Sequence, residues 1–168
     1  VTANYYQSTV AVLRNLGSGT FAGGVGYSGG SERYAVTAAD VDGDGKVDLV
    51  AANWNSNTLS VLRNLGDGTF AAQVIYAVGS LPKSVTAGDV DGDGKVDLVA
   101  ANAGSDSLSV LRNLGGGTFA AKVDYAVGLG PLSVTLGVVD GDGKLDLVTA
   151  NYYDHSVSVL RNLGNGVF

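Results

Sequence analysis

Acidic side chains recur in nine-residue segments whose composition suits a bound cation. In residues 40–48 and 89–97, aspartates occupy positions 1, 3, 5 and 9. Four negative charges within one turn repel each other strongly unless a cation lies among them. Calcium prefers oxygen ligands in a flexible geometry, and carboxylates with a main-chain carbonyl supply them. The predicted calcium ligands are Asp40, Asp42, Asp44, Lys46, Asp48, Asp89, Asp91, Asp93, Lys95 and Asp97. Each lysine would contribute its carbonyl and point its side chain to solvent.

A third segment, residues 138–146, departs from this pattern because Val138 replaces the first aspartate. Loss of one carboxylate is expected to weaken the site or to leave a water in its place. We therefore predict two strong calcium sites and one weaker site per chain. The predicted ligands of the weaker site are Asp140, Asp142, Lys144 and Asp146.

Other interpretations of the acidic segments are a solvated turn without an ion and a magnesium site. Magnesium is disfavoured because it demands tight octahedral geometry and usually keeps several waters. Zinc is disfavoured because the chain has no Cys and one His. An EF-hand is excluded because its loop closes with a Glu, where Ala51 and Ala100 stand here. Since all ligands come from the protein, we expect the ion to have a structural role.

Composition narrows the classes of partner. The formal charge of −6 argues against a nucleic-acid partner, because phosphate binding favours a basic surface. Eleven of the 16 carboxylates lie in the three acidic segments, so the acidity is local. The absence of Cys excludes disulfides. No apolar run approaches the roughly 20 residues that a membrane-spanning helix needs, so membrane insertion is not expected.

The acidic segments belong to a repeat that organises the whole chain. The string Arg-Asn-Leu-Gly recurs every 49 residues, at Arg14, Arg63, Arg112 and Arg161. Within one period, alternating apolar and polar residues between glycine-rich turns predict four short strands. In one repeat these are residues 84–88, 97–101, 108–112 and 119–125. No segment shows helical periodicity. We predict an all-β fold of four-stranded antiparallel β-propeller blades. An open solenoid or a β-sandwich of two repeats is the alternative.

The chain is interpreted as one repeat domain, residues 1–168. Its predicted divisions are a partial blade at 1–30, repeats at about 31–79 and 80–128, and an incomplete last blade at 129–168. Residues 1–21 closely match residues 148–168, so about three and a half blades are expected. Exposed strand edges tend to pair with other chains. We therefore expect closure by homo-oligomerisation, or an origin in a longer array. The start at Val1 likewise indicates a processed protein or a fragment.

The pattern Asp-x-Asp-x-Asp-Gly-x-x-Asp between the first two strands of a blade resembles the FG-GAP and VCBS-type repeats of β-propellers. These include integrin α-subunit heads, bacterial surface proteins and some fungal lectins. The resemblance covers the whole chain, and it implies a calcium-stabilised module outside the cell or at its surface. It also implies recognition or adhesion, with carbohydrate or a surface protein as the ligand. The alternative is a structural protein that self-assembles through its complementary ends. A further alternative is an accessory domain of an enzyme.

The loops that join the second and third strands differ most between the repeats, and variable loops on a fixed scaffold often carry recognition. Their aromatic and amide side chains suit sugar stacking or a protein contact. The predicted ligand surface is Tyr5, Tyr6, Trp54, Asn55, Tyr152 and Tyr153. Packing of these rings between neighbouring blades is the alternative. The repeated arginines are expected to make internal bonds.

Nothing in the sequence indicates catalysis. His155 is the only histidine, and one histidine in a variable loop does not make a catalytic triad. Gly23, Gly24 and Gly26 do not form a phosphate loop, because no helix is predicted after them. We therefore expect a protein that is not an enzyme.

Overall fold

The computed structural model describes residues 1–28 and 32–168, and all regular elements in this part of the chain are β-strands. The predicted boundary at residues 30 and 31 lies outside the described residues. No helix in the described ranges is long and apolar enough to cross a membrane.

The described residues contain eighteen strands, which follow the repeat. The first period contains β1 (Thr2–Asn4), β2 (Thr9–Val12), β3 (Asn15–Gly17), β4 (Thr20–Phe21) and β5 (Val25–Ser28). The second contains β6 (Arg33–Ala39), β7 (Asp48–Asn53), β8 (Thr58–Leu62) and β9 (Val74–Ala77). The third contains β10 (Pro82–Gly88), β11 (Asp97–Asn102), β12 (Ser107–Leu111), β13 (Asn113–Gly115), β14 (Thr118–Phe119) and β15 (Val123–Ala126). The last contains β16 (Pro131–Gly137), β17 (Asp146–Asn151) and β18 (Ser156–Leu160).

The larger sheets are antiparallel blades, as predicted. Blade B (β6-β7-β8-β9) and blade C (β10-β11-β12-β15) each have four strands, and blade A (β1-β2-β5) and blade D (β16-β17-β18) have three. The innermost strands β6, β10 and β16 contact one another across neighbouring blades, as inner strands do around a propeller axis. The prediction of an all-β fold built of four-stranded blades is confirmed.

One predicted strand was wrong in its extent. Residues 119–125 form two elements, because Phe119 ends the short hairpin β13–β14 and the outer strand β15 starts only at Val123. The main chain between them turns where the N–H of Ala120 donates to the carbonyl of Arg112 at 2.8 Å. The apolar-polar alternation continued through this break, so it did not reveal the turn.

The second strand of each complete blade explains how blades pack. All six residues of β7 are buried, and so are all six of β11. Since side chains alternate across a strand, Leu49 and Ala51 join an apolar cluster with blade A, whereas Val50 and Ala52 join one with blade C. The apolar core therefore lies between blades, and each blade depends on its neighbours.

An aromatic contact repeats at each junction between blades. A tyrosine of the outer strand meets a phenylalanine of the next blade edge to face, with ring centroids 5.2–5.3 Å apart. Each tyrosine hydroxyl also donates to a glycine carbonyl in that blade, at 3.1–3.3 Å. The pairs are Tyr27 with Phe70, Tyr76 with Phe119, and Tyr125 with Phe168.

We predict that Gly79→Ala destabilises the fold through the link between blades B and C. An added Cβ would lie 2.5 Å from Ser105 Oγ and 2.6 Å from Asn102 Nδ2. Overpacking of this kind is expected to lower the free energy of unfolding by about 1–3 kcal/mol, measured by urea denaturation in calcium. Gly137→Ala is the matched control, because nothing lies within 4 Å of its added Cβ. Equal losses in both variants would contradict the prediction.

Candidate functional site

Each acidic segment forms the connection between the first and second strands of a blade. We call residues 40–48 the first acidic loop, 89–97 the second and 138–146 the third. They join β6 to β7, β10 to β11 and β16 to β17, and the last aspartate of each loop is the first residue of the following strand. The hairpins after the third strands lie beside these loops, so this side of the molecule is called the loop face.

Three carboxylates converge in each of the first two loops. Oxygens of Asp40, Asp42 and Asp48 lie within 4.8 Å of one another. Asp89, Asp91 and Asp97 form the equivalent group in the second loop. A compact set of oxygen donors with this charge fits a hard divalent cation such as calcium or magnesium.

The first aspartate shapes the turn. Asp40 accepts hydrogen bonds from the N–H groups of Gly43, Asp44 and Gly45 at 2.8, 3.2 and 2.8 Å. Gly43 and Gly45 have φ values of 79° and 84°, in the left-handed region that favours glycine. The backbone thus curls around the carboxylate of Asp40 and fixes its position.

The last aspartate is fully buried. Asp48 accepts from the N–H of Val41 at 3.0 Å and from the N–H of Asn64 at 2.7 Å. Burial raises the pKa of Asp48 and of Asp97, although these hydrogen bonds oppose the shift. Ionising either carboxylate therefore costs free energy that a cation beside it would offset.

The fifth-position aspartates lie outside the three-carboxylate groups. The ammonium of Lys46 is 2.5 Å from Asp44 Oδ2, and Lys95 pairs with Asp93 in the same way. Hydrogen bonds from these lysines hold the pKa of Asp44 and Asp93 below the usual range. The lysine side chains thus contact their own loops and stay 41% and 44% exposed, so the prediction that they point to solvent holds in part.

The third loop lacks the organising contacts of the first aspartate. The contacts that it keeps within the turn are those from the N–H of Asp142 to Asp140 at 3.1 Å and from the N–H of Lys144 to Asp142 at 2.9 Å. Asp146 is buried and bonded to Asn162 and Val139, and these hydrogen bonds lower its pKa. Among the described residues, the compact three-carboxylate groups are those of the first two loops.

Two of the repeated arginines face the acidic loops of their own blades. Arg63 Nη1 lies 3.8 Å from Asp42 Oδ2, and Arg112 Nη1 lies 3.9 Å from Asp91 Oδ2. Both arginines are about half exposed, so each pair is weak. Their placement agrees with the predicted internal bonds.

Aromatic side chains gather on the side of the molecule opposite the loop face. The Tyr5 ring lies 6.2 Å from that of Tyr34 and 6.0 Å from that of Trp54. The Lys83 ammonium lies 3.8 Å from the Tyr34 ring centroid and 4.8 Å from that of Trp54. We call Tyr5, Tyr34, Trp54 and Lys83 the aromatic platform. It draws residues from blades A, B and C.

The six residues of the predicted ligand surface fall into two groups. Tyr5 and Trp54 are half-buried in the platform, so the alternative of packing between blades holds in part for them. Tyr6 is 95% exposed beside Tyr5, with ring centroids 5.1 Å apart, and Asn55 is exposed next to Trp54. Tyr152 and Tyr153 are exposed on blade D and contact each other at 5.2 Å.

Sequence reasoning missed Tyr34 and Lys83 because they lie on first strands and not in the variable loops. The signal was present in the repeat. Tyr34, Lys83 and Leu132 occupy the same register position in successive copies, and the residue type changes at each. It is the position of the first strand at which all three copies differ, which indicates a side chain that the scaffold does not require.

The FG-GAP-like repeat model matches residues 1–51, 40–100 and 89–149. The chain belongs to the FG-GAP-like repeat family. None of the curated protein sequences matches it.

Solved structures share the fold. An Agrocybe aegerita lectin that recognises non-reducing terminal N-acetylglucosamine is 26% identical with a TM-score of 0.61, and the match covers 94% of this chain and 44% of the lectin. The Tc holotoxin pore of Photorhabdus luminescens is 22% identical with a TM-score of 0.56, and the match covers 94% of this chain and 8% of that one. The chain thus spans less than half the length of either protein.

We predict that Val138→Asp strengthens cation binding by the third acidic loop. The new carboxylate would accept the backbone N–H groups of the turn and supply the missing anionic ligand, raising calcium affinity about tenfold or more by titration calorimetry. Val139→Asp is the control, because it adds the same charge one position away. A native chain with three indistinguishable sites, or an equal gain in both variants, would contradict the prediction.

Proposed function

We propose that the chain is a calcium-stabilised recognition module that acts outside the cell and binds carbohydrate at the aromatic platform. The observation that carries this proposal is the convergence of Tyr5, Tyr34 and Trp54 at an open surface where three blades meet. The proposed role is binding without catalysis.

The chemistry of the platform suits a sugar. Tyr34 is 48% exposed, so part of its ring is available to an apolar face of a pyranose. Polar groups border the rings, since Lys83 lies over Tyr34, and the Tyr5 hydroxyl donates to Glu32 at 3.2 Å. A small number of polar groups beside an aromatic surface orients a ligand that carries both hydroxyls and C–H faces.

The similarity to the Agrocybe aegerita lectin supports carbohydrate as the ligand class and makes terminal N-acetylglucosamine the first sugar to test. A protein ligand at the same surface is the alternative, because exposed tyrosines are also common in protein interfaces.

The acidic loops support a calcium requirement. Calcium would neutralise the carboxylates Asp40, Asp42 and Asp48, and their equivalents Asp89, Asp91 and Asp97 in the second loop. Extracellular calcium is abundant enough to fill sites of modest affinity. A requirement for calcium at modest affinity therefore supports a location outside the cell, where calcium is abundant.

The surroundings of the single histidine support a role without catalysis. His155 is exposed on blade D, and its neighbour Asp154 accepts a hydrogen bond from the N–H of Leu129 at 2.5 Å. The carboxylate of Asp154 thus has a structural partner in the link between blades C and D.

We predict that Tyr34→Ala weakens binding to N-acetylglucosamine-terminated oligosaccharides by about tenfold or more, because it removes a stacking face. Tyr34→Phe keeps the ring and is expected to retain most of the affinity. Phe21→Ala is the control, since Phe21 is an exposed aromatic residue in the β3–β4 hairpin of blade A. A glycan array followed by calorimetry measures these effects. Equal affinity of Tyr34→Ala and the native chain, or no glycan bound, would contradict carbohydrate recognition at this platform.

We also predict that removal of calcium destabilises the fold. At free calcium about 100-fold above the dissociation constant, each occupied site adds about 2.7 kcal/mol to the free energy of unfolding. EDTA is therefore expected to shift the urea midpoint strongly downward. Asp42→Asn combined with Asp91→Asn should reduce this shift, because it weakens both stronger sites. Superimposable unfolding curves with and without EDTA would overturn calcium stabilisation.

A further inference from the structure

One asparagine contacts two consecutive acidic loops. Asn113 follows β12, is 4% exposed, and donates its main-chain N–H to Asp97 Oδ1 at 2.7 Å. Its side-chain amide donates to the carbonyl of Val96 in the second loop at 2.8 Å. The same amide donates to the carbonyl of Val41 in the first loop at 2.8 Å. A single buried side chain therefore joins the loops of blades B and C.

The contact in the first loop falls between two of the converging carboxylates. Val41 separates Asp40 from Asp42, is 2% exposed, and packs into the apolar cluster shared with blade C. Its N–H donates to Asp48 Oδ2 at 3.0 Å, while its carbonyl accepts from Asn113. The main chain that carries Asp40 and Asp42 is thus held on one side by its own loop and on the other by the next blade.

The same link recurs once more along the chain. Asn162 donates its main-chain N–H to Asp146 at 2.8 Å, and its side-chain amide to the carbonyls of Leu145 at 2.9 Å and Val90 at 2.7 Å. These groups belong to the third and second loops. Repetition in the same register shows that the link is a property of the repeat.

Asn64 provides an internal contrast. It donates its main-chain N–H to Asp48 at 2.7 Å and its side-chain amide to the carbonyl of Val47 at 2.9 Å. Both partners lie in the first loop, so among its described contacts Asn64 supports its own loop alone. A comparison of Asn64 with Asn113 therefore distinguishes support within one loop from a link between two loops.

We propose that a cation bound in one acidic loop raises the cation affinity of the loop in the adjacent blade, and that Asn113 is the positioning residue that transmits this effect. The inference rests on the proposed calcium binding. An ion in the second loop fixes Asp97 and the peptide of Val96, and so fixes Asn113. Asn113 then holds the Val41 carbonyl and orders the main chain between Asp40 and Asp42. By linkage, an ion in the first loop favours the second equally.

The test follows each loop separately in the full chain. Backbone amide signals of Gly43 and Gly45 report on the first loop during a calcium titration by NMR, and those of Gly92 and Gly94 report on the second. Asp91→Asn weakens the second site without altering the first loop. It is expected to lower calcium affinity at the first loop by at least about fivefold, the lower end of typical coupling between sites.

The role of Asn113 is tested by repeating this comparison in two backgrounds. In Asn113→Ala, Asp91→Asn is expected to change first-loop affinity by less than about twofold, because the link is gone. In Asn64→Ala, the effect of Asp91→Asn is expected to persist, even if first-loop affinity itself falls. A purely structural role of Asn113 would lower affinities without changing the dependence of one loop on the other.

The outcomes separate this proposal from the calcium proposal. Calcium binding to both loops with no effect of Asp91→Asn on the first overturns the coupling alone. Full persistence of the effect in Asn113→Ala overturns the role of Asn113. Absence of calcium binding overturns both proposals. If Asn113→Ala fails to fold by circular dichroism, Asn113→Ser serves in its place, and the comparison with native Asn113 still tests the coupling.

Discussion

A buried carboxylate at the start of the second strand is the interaction on which the rest of each repeat depends. Asp48, Asp97 and Asp146 are fully buried, and each accepts one N–H from its own acidic loop and one from the asparagine after the third strand. The carboxylate thereby fastens the start of its acidic loop, the start of the second strand and the segment after the third strand. A buried charge without compensation is costly. The hydrogen bonds, and the proposed cation, make the arrangement tolerable.

The way in which the blades pack makes neighbouring repeats inseparable. The second strands β7 and β11 are buried on both faces. Each face of blades B and C must therefore pack against a neighbouring blade to be shielded from water. The Tyr76–Phe119 contact and the amide of Asn113 add links across the same junction. A repeat is therefore a unit of sequence, but blades B and C each need a neighbour on both sides to bury the second strand.

The sequence predicted what is local to one repeat. The constant spacing of the repeats, the alternation of apolar and polar residues and the aspartate pattern predicted the strands, the acidic loops and the departure at Val138. Each of these features depends on residues close together in the chain. Family membership and the all-β fold followed. What the sequence did not yield depends on neighbouring blades. The platform needs Tyr5, Tyr34 and Lys83 from three blades. The break after Phe119, in contrast, is closed within its own repeat by the Ala120–Arg112 hydrogen bond, and the continued alternation concealed it.

The contact between each lysine side chain and its own loop was not predicted, for a related reason. In the sequence, Lys46 lies in a polar turn, where an ammonium group is normally surrounded by water. In the folded loop, the ammonium of Lys46 lies 2.5 Å from Asp44 Oδ2, two residues earlier in the same turn. The charge pattern placed these groups two residues apart but did not specify that they pair.

The loop face and the opposite, aromatic face of the molecule can carry different functions. A repeated asparagine–serine contact precedes each variable loop and fixes the end of the second strand. The second strand ends in an asparagine whose side chain donates to a serine of the third strand at 2.8 Å, in the pairs Asn53 with Ser60, Asn102 with Ser109, and Asn151 with Ser158. The main-chain N–H of the residue after the asparagine still donates to the residue before the first strand, at 3.0–3.1 Å. Its side chain varies, and the residue is Trp54, Ala103 or Tyr152 in successive blades. The side chain at this position can change without touching the carboxylates on the loop face, because the six residues of the second strand lie between them.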